Sequence, residues 1–153
     1  MCECGNRDAK MKMVLSTLWI FAVANYIYAD VFTLFAQILD PVALKQLISG
    51  SSGSPVQMTP AAMIGFTLLM ETAMLMIPLA RFLPRRFNRW TNVGIGLLHT
   101  VAVNFFYLIG GLPKAFTWYT IFVIVETAST VLIIVFAWRW KETASQQESQ
   151  PAS

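Results

Sequence analysis

Charge is what this chain lacks most. Lys, Arg, Asp and Glu together make up 12% of its 153 residues, about half the ~25% of an ordinary soluble domain. That scarcity excludes a soluble enzyme, a disordered chain and a nucleic-acid binder, whose basic residues would form a face or stripe. The two cysteines, Cys2 and Cys4, both stand at the start of the sequence. No disulfide framework or membrane thiol redox centre can be built from them, and two thiols do not close a tetrahedral metal site. A single histidine, His99, excludes a bis-histidine haem centre, and the paired Glu-x-x-His motifs of di-iron bundles are missing. A metal held by His99, Glu71 and Glu126 would have only one imidazole, so no metal and no cofactor are expected. No Gly-x-Ser motif stands in the apolar runs to make an intramembrane serine protease.

What the chain has is apolar length. Hydrophobic residues reach 56%, concentrated in four runs at 13–39, 61–80, 91–112 and 115–138. A hydrocarbon core of ~30 Å takes ~20 residues of helix, so each run can span it. A barrel would show ~10-residue alternating segments, and there are none. The expected fold is therefore all-α, an integral membrane four-helix bundle over 13–140. Residues 1–12 are expected to be a flexible N-terminal segment and 141–153 a disordered polar tail. Asp40-Pro41 and Thr59-Pro60 read as helix starts, and Gly110-Gly111 before Pro113 as a helix stop. Lys10, Lys12 and then Ala22-Val23-Ala24 imitate a cleaved secretory signal. The apolar run continues to Leu39, so the segment is read as a retained span.

Nine Lys and Arg residues (Arg7, Lys10, Lys12, Arg81, Arg85, Arg86, Arg89, Arg139 and Lys141) fall on one side of the spans, against Lys45 and Lys114 on the other. The positive-inside rule then places both termini and the Arg-rich 81–89 segment in the cytoplasm. Trp90, Trp138 and Trp140 mark the inner boundary and Trp118 the outer one. Residues 40–48 read as a short interfacial helix and 49–55 as a flexible linker. Asn25-Tyr26-Ile27-Tyr28 is echoed by Asn104-Phe105-Phe106-Tyr107, and Met70-Glu71-Thr72-Ala73 by Val125-Glu126-Thr127-Ala128, the pattern of two parallel hairpin repeats.

Each span carries one ionisable residue: Asp30, Glu71, His99 and Glu126. A charged side chain at mid-bilayer costs about 2.5–3.5 kcal/mol, so these groups should be neutral, paired or facing water. At ~1.5 Å per residue, Glu71 lies ~16 Å and Glu126 ~14 Å below the outer end of their spans. Asp30 and Asn104 sit higher, at ~8–10 Å. Helical phase groups Tyr26, Asp30, Thr33 and Gln37; Thr67 and Glu71; Asn92, Gly96 and His99, beside Thr100, Asn104 and Tyr107; and Tyr119, Phe122, Glu126 and Ser129. Turned inward, these stripes would enclose an outward-opening polar pocket. Its expected ligand- or proton-binding residues are Asp30, Glu71, His99, Glu126, Asn25, Tyr26 and Asn104. At least two of Glu71, His99 and Glu126 should come within direct or water-bridged reach of one another. The competing expectation is that the same residues only hold the helices together.

Segments 15–30 (LSTLWIFAVANYIYAD), 69–71 and 125–140 (VETASTVLIIVFAWRW) resemble an uncharacterised family of small bacterial four-span membrane proteins, more remotely similar to the DoxX-like bundles. The resemblance covers 15–140. It implies the four-helix fold and a bacterial plasma membrane, and it brings no activity and no site residue. Two function classes follow from the residues. The bundle binds or transports a small amphipathic molecule, cationic or not, with proton exchange, or it is a non-enzymatic accessory subunit of a larger membrane complex. An enzyme shuttling a proton between His99 and a glutamate is the third and weakest class. Beyond the bilayer, such a ligand and a homo-oligomer or larger complex are the expected partners, with no nucleic acid.

Overall fold

The computed structural model describes residues 3–49, 59–109 and 118–140. They form five helices: α1 (Glu3–Leu39), α2 (Pro41–Ile48), α3 (Pro60–Phe82), α4 (Arg85–Ile109) and α5 (Trp118–Arg139). Among them α1, α3, α4 and α5 are long and apolar enough to cross a membrane, as expected. The 141–153 tail, the helix stop at 110–113 and most of the 49–55 linker lie outside the described residues. Asp40 starts α2 as its sequence suggests, accepting the Val42 N–H on Oδ1 at 2.9 Å.

Two boundaries differ from the sequence reading, for physical reasons. The first helix begins at Glu3 and takes in most of the segment expected to be flexible. Asp8 anchors this extension. It accepts the Trp140 indole N–H at 3.0 Å and stands 3.6 Å from the Arg85 guanidinium, which lies over the Trp140 ring. The Arg-rich segment is helical almost throughout, with only Leu83 and Pro84 outside the two helices. Pro84 lacks the N–H that would continue α3, and its carbonyl accepts Asn88 N–H at 2.9 Å to open α4. Asn88 Nδ2 also donates to the Ala80 carbonyl at 2.6 Å, closing an end of α3 that would otherwise lack a partner.

In the bundle α1 packs against both α3 and α5, α4 packs mainly on α5, and the α3–α4 contact is the sparsest of the four. Gly96 allows the close approach of α4 to α5, since a Cβ there would lie 2.9 Å from Ile134 Cγ1. The surface is the reverse of a soluble protein's. Ile20, Phe21, Leu68, Leu75, Leu97, Val101, Phe105, Ile124 and Leu132 face outward, while Asn88, Asn92, His99, Glu126, Ser129 and Thr130 are buried. That arrangement suits a lipid environment.

The apolar core is lopsided. Leu15, Trp19, Ala22, Tyr26, Ala73, Met76, Ala80, Ile133, Ala137 and Trp140 fill the half of the bundle nearest the basic end. Towards the other end, only Ala29 and Val123 are buried apolar residues among those described. Buried polar groups run through both parts: Ser16, Asn88 and Asn92 near the basic end, and His99, Glu126, Ser129 and Thr130 around mid-span.

Candidate functional site

His99 sits at the centre, 1% exposed, with its ring edge-on to Trp19 and stacked on Tyr26. Both ring nitrogens are engaged. Nε2 lies 3.0 Å from Thr72 Oγ1, and Nδ1 lies 3.3 Å from the Tyr26 hydroxyl. The Thr72 hydroxyl already donates its one proton to the Leu69 carbonyl at 2.6 Å. It can only accept from the ring, so Nε2 carries the hydrogen and Nδ1 accepts from Tyr26 O–H. His99 thus joins α1, α3 and α4 through neutral partners, and no glutamate takes either nitrogen.

Glu71 explains part of this. The inward face of α3 is set by Ala73, Met76 and Ala80, small or pliable side chains at three- and four-residue steps that fit against α1. Glu71 stands about 200° from Ala73 at 100° per residue, and it is exposed, as is Thr67. The side chain that α3 turns towards His99 is Thr72. Glu71 makes no hydrogen bond or ion pair among the described residues.

The second polar centre lies between α1 and α5. Glu126 is 5% exposed, with Asn25 and Asp30 of α1 within electrostatic range of it. Asn25 donates to the Phe122 carbonyl at 3.3 Å. Asp30 is on the exposed edge of this group. Neither acid has an ion-pair partner among the described residues. Tyr26 is common to both centres, touching His99 through its hydroxyl and lying near Glu126. Of the expected site residues, Asn25, Tyr26, Asp30 and Glu126 are therefore brought together, His99 is reached through Tyr26, and Glu71 is turned away. Among the described residues no three His, Cys, Asp or Glu side chains gather as a metal site.

Asn104 belongs to a different structure. It accepts no role at Glu126; its Nδ2 donates to the Thr100 carbonyl at 2.8 Å and to Thr127 Oγ1 at 3.1 Å. With Thr100–Thr130 at 2.8 Å and Tyr107–Thr120 at 3.1 Å it forms a ladder holding α4 to α5. A second polar chain crosses the basic half: Trp19 Nε1 donates to Asn92 Oδ1 at 2.7 Å, and Asn92 Nδ2 to the Asn88 carbonyl at 2.8 Å. Trp19, Thr72 and Asn88 escape the sequence reading. A tryptophan in a span reads as a boundary residue, Asn88 stands among arginines, and Thr72 is masked by the acid beside it.

A family model, described as a family of unknown function (DUF6326), matches residues 4–146. The search of curated proteins and the search of solved structures each found no match. The match covers nearly the whole chain, which therefore belongs to the DUF6326 family.

Proposed function

We propose that this DUF6326 protein, a multi-span membrane protein, binds and moves a small amphipathic cation between α1 and α5. Asp30 and Glu126 supply the negative charge, and Asn25, Tyr26 and Tyr119 supply hydrogen bonds and aromatic faces. One observation carries this reading: Glu126 is buried inside a membrane bundle with the exposed Asp30 within electrostatic range, and neither acid has an ion-pair partner among the described residues. A cation is what the arrangement lacks. The amphipathic character follows from the setting, since a ligand passing Phe32, Trp118 and Phe122, whose rings lie within 6.3 Å of one another, meets aromatic surface. A proton held by the carboxyl pair is released when the cation arrives, which couples binding to pH. His99 orients Tyr26 from below. Residence in a bacterial plasma membrane, and the remote likeness to DoxX-like bundles, belong to the same proposal.

Thermal unfolding of the detergent-solubilised protein with a panel of lipophilic amines, at about pH 6 and about pH 8, tests it. The expected result is stabilisation by at least one amine, stronger at the higher pH, and lost in Glu126→Gln. Equal unfolding with and without every amine would sink the reading.

One observation favours the second reading, that of a subunit in a homo-oligomer or larger complex. Glu71 lies mid-span on an exposed face of α3 with Ile64, Leu68, Leu75 and Pro78. A lone charge facing lipid there costs about 2.5–3.5 kcal/mol, and a neighbouring helix with a polar group would remove that penalty. Cross-linking in membranes through single cysteines at Leu68 and Leu75 tests it, and efficient cross-linking that Glu71→Leu abolishes is the expected outcome. Monomers alone in the membrane would leave Glu71 without this role.

A further inference from the structure

We propose that the basic end carries a binding site for the phosphate of an anionic phospholipid, in a groove between α1 and α3. A cavity of about 220 Å³ opens there, lined by Ala9, Lys12, Met13 and Arg81. Ala9, Lys12 and Met13 fall at three- and four-residue steps, so they form one face of α1, opposite Arg81 near the end of α3. Two cations thus flank one concavity. Neither forms an ion pair among the described residues, the nearby Asp8 being taken by Arg85 and Trp140.

The guanidinium is held in place. Arg81 Nε donates to Ser16 Oγ at 3.0 Å, and Ser16, fully buried, passes its own proton to the Ile77 carbonyl at 3.0 Å. That chain fixes the plane of the guanidinium and leaves its two terminal nitrogens for an oxyanion. A planar fork of this kind matches phosphate geometry, and the half-buried Lys12 adds a point charge. Ser16 is accordingly a positioning residue.

The surroundings select a lipid over a free anion. By helical register the α1 face continues from Met13 through Thr17, Ile20 and Ala24 to Ile27, all exposed, and the α3 face from Arg81 through Pro78 to Met74. A phosphate seated at the boundary would leave its acyl chains along these exposed side chains, which are apolar apart from Thr17. Basic pockets between spans on the positive side of a membrane protein are the kind of site that takes such headgroups.

Native mass spectrometry of the full chain, released from micelles doped with phosphatidylglycerol or phosphatidylcholine, tests the site. The expected result is retention of phosphatidylglycerol over phosphatidylcholine, with affinity lowered about tenfold or more in the Lys12→Gln, Arg81→Gln double variant. Arg86→Gln with Arg139→Gln removes the same charge from exposed positions on the same end and should leave retention unchanged. Ser16→Ala should weaken retention with both cations still present. Thermal unfolding checks that every variant remains folded. Equal losses in the two double variants would mean diffuse attraction and would overturn the site. Inorganic phosphate that displaces the lipid at millimolar concentration would overturn the choice of a lipid.

Discussion

A buried polar side chain in this bundle is identified by which of its atoms already have partners. Asn92 has its oxygen on the Trp19 indole and its nitrogen on the Asn88 carbonyl, so it is fully employed in joining α1 to α4. Replacing it by Leu strands an indole N–H in the core. We predict a loss of about 1–3 kcal/mol, measured by unfolding in mixed micelles. Thr127→Val, which removes one partner of Asn104 nearer the outer end, should cost about 0.6 kcal/mol, the usual worth of a single interhelical bond in a membrane. Glu126 differs from both, since its buried carboxyl has no ion-pair partner among the described residues and Asp30 lies within electrostatic range. The sequence showed which residues are polar and at what depth. It did not show which were already satisfied, because that depends on partners 73 residues away for both Trp19 and Tyr26.

The elements were legible wherever the bilayer dictates them. A span needs ~20 apolar residues whatever packs beside it, so all four were found. Their ends and facings were harder. The 81–89 segment looked like a loop because it is polar, yet polar residues continue a helix readily, and only Pro84 marks the turn. Thr67 and Glu71 share a face, and the rule that polar groups turn inward assigned that face wrongly. Close helix packing in membranes selects small residues, and Ala73 and Ala80 claim the interior. The same logic predicts a contrast on α4. A Cβ at Gly96 would meet Ile134 at 2.9 Å, whereas one at Gly94 meets nothing within 4 Å. Gly94→Ala should be neutral or stabilising by up to about 1 kcal/mol through helix propensity. Gly96→Ala should be less stable than Gly94→Ala by about 1–3 kcal/mol, the range for overpacking. Equal melting temperatures for the pair would show that α5 yields at no cost.

At the scale of the molecule, Asp8, Arg85 and Trp140 meet, so the start of α1, the start of α4 and the end of α5 lie at one end. We propose from the charge bias that this end faces the cytoplasm. With Cys2 and Cys4 replaced by Ser, a cysteine at Arg86 should resist a membrane-impermeant thiol reagent in intact cells, and one at Ser52 should react. Labelling at Arg86 alone would invert the protein. The apolar core cluster of α1, α3 and α5 lies towards the basic end, and Glu126 is buried between α1 and α5 beyond it. The central claim is that Asp30 and Glu126 exchange a proton for a cation, and calorimetry reads that exchange directly. An amine that stabilises the protein should be titrated in two buffers of different ionisation enthalpy. The account predicts binding heats that differ between the buffers by the release of up to about one proton per amine. Glu126→Gln should bind more weakly and release none. Heats that are the same in both buffers, with Glu126→Gln binding as well as the parent, would contradict it.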